Sequence, residues 1–302
     1  MLQQTQAAVV SDYFERWMAR FPSLASLAEA PLDEVMKLWE GLGYYARARH
    51  LHAAARRIVQ EQGEITPDAL AHIKGLGPYT RGAILSFAFH QRAAAVDGNV
   101  KRVLARYFLV EEEVAAPSAL RTFTALAESI LPEEEPWIIM EALIELGAQI
   151  CQKTPRCPLC PIRSGCRAYL EHRTADLPIR KRRAKTTSLL RFVAVVRANN
   201  ALLLKREEAG KVMAGLYEFP YFDTLSQRAL EKWLGCEVRP VAQLPEVRHT
   251  FTRYRVTLRP SVWQCQEQPC VSAYQWIPWE RAPSLPLSSG HKRILRHVYS
   301  TH

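Results

Sequence analysis

Cys151, Cys157, Cys160 and Cys166 follow one another in the spacing C-x5-C-x2-C-x5-C, with Pro155, Pro158 and Pro161 stiffening the loop between them. Four thiolates on so short a loop wrap a metal, and by ligand count they suit either a 4Fe-4S cluster or a zinc ion. A second group is Gly75-Leu76-Gly77 ahead of an apolar stretch. Glycines there remove the Cβ atoms that would keep a phosphate from backbone N–H groups, and the helix N-terminus that follows adds partial positive charge. The plain alternative is a helix-ending glycine in an αα corner. A third is Val96-Asp97-Gly98-Asn99 before a basic amphipathic run, where an aspartate reads first as a helix N-cap.

Helices must position all three groups. Apolar residues recur at helical spacing in Leu32, Val35, Met36, Leu38 and Trp39, and again in Val100, Val103, Leu104, Tyr107 and Phe108. Residues 38–45 (LWEGLGYY) and 72–79 (HIKGLGPY) repeat one device, a glycine turn after an amphipathic helix with aromatics behind it. In the second, Pro67 and Asp68 start a short helix and Thr80 to His90 form the next. The chain divides near residues 171–188, where Arg180-Lys181-Arg182-Arg183 is a charge run that no core absorbs. From Leu189 onward the pattern becomes short β-rich runs (LLRFVAVVR, ALLLKR, YRVTL) with helical segments near Gln227 to Leu234 and Lys292 to Tyr299. The expected fold is therefore multidomain: an all-helical domain over 1–170 carrying the cysteine loop, a basic linker, and an α+β domain over 189–302.

Composition sets outer limits. With 302 residues and 48% hydrophobic content, the chain supports two cores and excludes wholesale disorder. Forty Lys and Arg against thirty Asp and Glu give a net charge of +10, which calls for a polyanionic partner. Residues 1–10 lack a basic leader, and no stretch reaches the length of a membrane span. Seven cysteines, four clustered and Cys236, Cys265 and Cys270 scattered, fit reduced thiols and one metal site better than a disulfide framework. A soluble, cytoplasmic monomer without membrane contact is expected.

Taken in order, GLGPYTRGAI, AVDGNVKRVL and the four-cysteine loop resemble the helix-hairpin-helix DNA glycosylases of the endonuclease III superfamily. Residues 2–6 (LQQTQ), 41–52 (GLGYYARARHLH) and 141–151 (EALIELGAQIC) are similar to its adenine DNA glycosylase branch, and the second domain resembles that branch's Nudix-like domain. The resemblance implies hydrolysis of the N-glycosidic bond of adenine mispaired with 8-oxoguanine or guanine in double-stranded DNA. It implies Asp97 as the carboxylate that stabilises oxocarbenium character, with Asn99 in support. Tyr79 stands where lyases of the superfamily carry a Schiff-base lysine, so a monofunctional glycosylase is expected. By the same likeness Leu2 and Gln4 belong to the wedge and pocket, Tyr44 intercalates, and Glu141 bonds the flipped adenine. Phe251 and Thr252 probe 8-oxoguanine, Gly75 and Gly77 grip phosphate, Arg47, Arg49 and Lys101 contact DNA, and the cysteines hold a 4Fe-4S cluster rather than zinc.

The departures are specific. The resemblance puts the general-acid glutamate two residues before the methionine of MLQQTQ, which here is Met1, so a chain truncated ahead of its acid is expected, with a crippled, purely DNA-binding relative as the alternative. Glu15 lies about four turns along the helix and does not substitute for it. The first cysteine gap is five where the pattern has six, and Arg253 replaces a histidine beside Thr252. Nudix hydrolysis needs clustered glutamates on a helix, whereas residues 223–236 offer only Asp223 and Glu231. Lyase activity is argued against by Tyr79.

Overall fold

The computed structural model describes every residue except Gln3, Gln4, Gln6, 62–64, Lys74, 182–185, Ala209, Thr252, Arg253 and the last two, with only the backbone of Ala7 and Phe251. Two compact units emerge, Met1–Gly63 together with Ala184–His302, and Glu64–Arg183. By contact, the first 63 residues group with the second half of the chain.

Four helices open the chain: α1 (Ala7–Arg20), α2 (Leu24–Glu29), α3 (Leu32–Leu38) and α4 (Ala46–Gln60). Ser23 starts α2 through a reciprocal cap with Ser26. The turn between α3 and α4 needs Gly41 and Gly43, both at positive φ. Trp17, Met36, Trp39 and Ala48 are buried between these helices.

The second unit holds α5 (Pro67–Ala71), α6 (Pro78–Phe87), α7 (Gly98–Tyr107), α8 (Ala119–Ile130), α9 (Pro136–Gln149) and α10 (Arg167–Leu170). Helix α6 begins at Pro78, two residues earlier than the apolar pattern indicated, because proline at the first helical position fits a φ already set and gives up an N–H that has no partner there. Val100, Val103, Leu104, Phe123, Met140 and Leu143 form the core, each large side chain worth about 1.5–3 kcal/mol on burial. Helices α7 and α9 touch closely at Gly147, where a Cβ would stand 2.6 Å from that of Asn99 and 3.0 Å from its backbone.

The α+β part is a mixed sheet of β1 (Thr187–Ala198), β2 (Ala201–Arg206), β3 (Tyr217–Glu218), β4 (Tyr221–Phe222), β5 (Arg239–Gln243), β6 (Val247–Phe251), β7 (Tyr254–Gln264) and β8 (Tyr274–Pro278), with α11 (Gln227–Leu234) and α12 (Ser289–Ser300). The order is β3-β2-β1-β7-β5, with β4 on β1, β6 on β7 and β8 on β2. Strands β1 and β7 run parallel from Thr187↔Tyr254 to Arg197↔Gln264. The sheet buries both faces. Val193, Val195 and Leu202 point to the core under α12, and Ala194, Val196 and Leu203 to the core under α11.

Leu216 completes the α1–α4 core. Charge bonds reinforce that seam: the Glu40 carboxylate, on a residue only 5% exposed, accepts from Leu287 N at 2.9 Å and from Lys292 Nζ, with Lys37 Nζ at 3.2 Å. Arg206 pairs with Asp33 at 2.6 Å. Among the described residues no helix is long and apolar enough to cross a membrane.

Candidate active site and cluster loop

Asp97 is the N-cap of α7. Its Oδ1 accepts from the backbone N–H groups of Asn99 and Val100, each at 2.8 Å, and its Oδ2 accepts from Asn99 Nδ2 at 3.0 Å. Three donors at a helix N-terminus therefore hold the half-buried side chain in one orientation. Tyr79, in the first turn of α6, packs against the same core. Burial pushes its phenol up and the Asp97 charge adds to the effect, so Tyr79 keeps its proton beside an anion.

Asn99 is itself fixed. Its Oδ1 accepts from Arg102 Nη2 at 2.8 Å, and the Arg102 guanidinium also donates to Gly147 O at 2.7 Å and Cys151 O at 2.6 Å. A continuous set of bonds thus runs from Asp97 through Asn99 and Arg102 to the first cysteine. One helical turn on, Arg106 is only 2% exposed and donates to Leu177 O (3.0 Å), Gln152 O (2.6 Å), Lys153 O (3.1 Å) and Cys151 Sγ (3.3 Å). A buried guanidinium is tolerated because carbonyls and a sulfur take up its donors. The sequence reading missed both arginines; their i, i+4 spacing on a capped helix was the available signal.

Cys151, Cys157, Cys160 and Cys166 line one cavity with Arg106 and Tyr169. Burial pushes the Cys157 and Cys166 thiols up. Among the described residues no three His, Cys, Asp or Glu side chains converge closely enough for a single metal ion. Four thiols around one shared cavity are a donor set that fits either a 4Fe-4S cluster or a tetrahedral zinc.

In the hairpin from α5 to α6, Thr66 caps α5 by accepting from Ala69 N at 3.2 Å. Gly75 sits at φ +94°, and Gly77 caps α6 without any side-chain bond. Among the described residues nothing lies within 4 Å of where a Gly77 Cβ would be, which leaves room for an anion at this helix end. Lys101 Nζ donates to Val114 O at 3.0 Å, and Glu141 is exposed on α9 next to buried Met140.

The other expected residues belong to the first unit. Tyr44 takes φ +48° and is 57% exposed, a backbone state that costs a non-glycine residue about 1 kcal/mol or more. Arg47 lies 5.4 Å from its ring and donates to Met1 O at 3.0 Å, which brings the exposed Leu2 to the same place. Arg49 donates instead to Ala214 O, bridging α4 to the loop before β3. Phe251 ends β6 opposite Tyr254. Gln4 and Thr252 lie outside the described residues.

The family comparisons agree with this geometry. Residues 1–130 match the HhH-GPD superfamily of base excision DNA repair proteins, and residues 191–297 match the NUDIX domain. The adenine DNA glycosylase of Mus musculus is 31% identical over 365 residues, spanning 100% of this chain and 70% of its own. That of Buchnera aphidicola subsp. Baizongia pistaciae is 32% identical over 271 residues, 87% of this chain and 76% of its own. Among solved structures, a thermostable thymine-DNA glycosylase aligns with a TM-score of 0.50 at 25% identity over 56% of this chain and 80% of its own. A trapped endonuclease III–DNA covalent intermediate aligns with a TM-score of 0.50 at 26% identity over 57% and 81%. With capped aspartate, glycine hairpin and cysteine loop on a helical domain that precedes a Nudix-like one, the chain belongs to the adenine DNA glycosylase family.

Proposed function

We propose that this chain is a monofunctional glycosylase that removes adenine paired with 8-oxoguanine or guanine from double-stranded DNA, acting as a cytoplasmic monomer. The observation that carries the reading is the Asp97 carboxylate, oriented by its bonds from Asn99 beside a phenol whose pKa is raised by burial and by Asp97. As the glycosidic bond breaks, positive charge develops on the sugar, and an ionised carboxylate in a partly buried site stabilises it. Asn99 keeps the carboxylate aimed. Tyr79 offers an O–H to a neighbouring oxygen but no amine, so no Schiff base forms and the strand stays intact.

The remaining roles follow the same division. Gly75 and Gly77 grip the backbone through the open α6 terminus, and Lys101 and Arg49 support that binding from positions where they also tie the protein to itself. Leu2, Gln4 and Tyr44 fill the gap left by the extruded base, with Arg47 behind them. Glu141 bonds adenine, and Phe251 with Thr252 reads the opposite 8-oxoguanine. Residues 1–170 then form the catalytic domain, 171–188 a basic linker and 189–302 the lesion-reading domain. Cys151, Cys157, Cys160 and Cys166 would hold a 4Fe-4S cluster, which supplies fixed charge and a rigid anchor without an open coordination site for hydrolysis.

The test is single-turnover release of adenine from a duplex with one A:8-oxoguanine pair. It uses this chain and a version extended upstream by a glutamate-bearing segment. Release by either form, with no borohydride-trapped DNA adduct, is the expected result. No release by both, despite tight DNA binding, would replace the enzyme by a DNA-binding protein, and an adduct would replace it by a lyase.

A further inference from the structure

Outside the active site, two thiols meet in the α+β part. Cys236 follows Gly235, the residue that ends α11, and Cys265 follows the last residue of β7. The sheet brings them together: β5 pairs with β7 so that Arg239 lies opposite Gln264, which places the three residues before Arg239 alongside the end of β7. Both side chains pack in the core under α11, Cys265 fully buried and Cys236 half-buried at its margin. The Cys236 thiol is near enough to perturb that of Cys265, and the Cys265 Sγ donates to Glu267 O at 2.7 Å.

We propose that Cys236 and Cys265 are a redox modification site, a dithiol that a hydroperoxide converts into a reversible disulfide latching the end of α11 to the end of β7. The two sulfurs have distinct parts. Half-buried Cys236 is the one that an oxidant reaches. Its sulfur attacks the distal peroxide oxygen, the O–O bond breaks, and the alcohol or water leaves with the thiol proton, so Cys236 becomes a sulfenic acid. Burial and the neighbouring Cys236 push the Cys265 thiol up to about 12, so Cys265 holds its proton and acts second. Its sulfur attacks the Cys236 sulfur, the S–O bond breaks, and hydroxide departs as water with the Cys265 proton. Two thiols and one peroxide thus give one disulfide, one alcohol or water, and one water. A dithiol reductant restores the pair by exchange.

The bridge closes a loop that contains β5, β6 and β7, and restraining a loop of that size raises the thermal midpoint by several degrees. The experiment treats the full chain, cluster in place, with an equivalent of hydrogen peroxide, blocks free thiols with N-ethylmaleimide and maps tryptic peptides by mass spectrometry. The expected product joins residues 233–248 to 256–281 in the parent and in C270S, comes apart with dithiothreitol, and is missing from C265S and C236A. Oxidised C270S melts higher than reduced C270S, and C236A shows no such difference. Full labelling of both thiols after peroxide, or Cys236 joined to Cys270 or to a second molecule, would overturn the proposal.

Discussion

Replacing Arg102 by alanine tests the coupling between the cysteine loop and the Asp97 carboxylate. The substitution leaves Asn99 Oδ1, Gly147 O and Cys151 O without their shared donor. Gly147 lies in the last turn of α9, where carbonyls lack helical partners and a cation is also favoured by the helix dipole. Bonds to a charged donor are worth about 1.5–3 kcal/mol each; water reaches this half-buried site and replaces part of each, so the sum falls at about 3–5 kcal/mol. With Asn99 released, Asp97 loses its aim from Nδ2, and a transition-state loss of about 1.4 kcal/mol corresponds to a tenfold slower adenine release. Urea unfolding of the full chain reads the first quantity, single-turnover kinetics the second, and DNA affinity serves as the control that stays put. R102K supplies a point charge in place of the planar fork and recovers only part of both. An R102A protein that unfolds within about 1 kcal/mol of the parent, or that releases adenine at the parent rate, would refute the coupling.

Three further predictions follow from the same kind of accounting. Glu40→Ala strands Lys292 and Leu287 N inside the seam between α1–α4 and the α+β part; breaking one partner of a buried pair costs about 3–5 kcal/mol, read as a lower melting temperature of the first unit. Gly77→Ala places a methyl where no described residue stands within 4 Å, at a φ of −70°, so it melts like the parent while binding DNA more weakly, whereas Gly75→Ala, at φ +94°, melts lower; equal DNA affinity of G77A and parent would remove the phosphate grip. Burial and the neighbouring Glu207 push the Glu218 carboxyl up to about 7 despite Lys205 beside it. A folded-state value above the unfolded one means that the fold favours protonated Glu218, so its contribution is complete below about pH 4.5 and is lost as pH rises through about 7. Glu218→Gln is therefore expected to gain on the parent in melting temperature between pH 5 and 8.5, and a constant difference would contradict the assignment.

What the sequence exposed and what it hid divide along the range of the interactions involved. Helix α11 was readable because Ser226, Gly235 and the apolar spacing between them are local signals, and it spans Gln227–Leu234 as expected. Strands β1, β2 and β7 were readable from their β-branched runs for the same reason. The attachment of the first helices to the α+β part was hidden, since it depends on Glu40 meeting Lys292 across most of the chain, and a glutamate after an amphipathic helix looks solvated. The candidate site shows a finer version of the same limit. Asp97 could be recognised because its cap is made within three residues. Arg49 and Lys101 looked like phosphate contacts, yet each is bonded to a carbonyl far along the chain or across a loop. Arg102 and Arg106 drew no notice within a basic helix, although one orients Asn99 and the other faces the cysteine cavity. A cation's residue type says that an anion or a carbonyl will be near it, and only the packing decides which, so the basic residues are where a sequence reading of this chain most needs the structure.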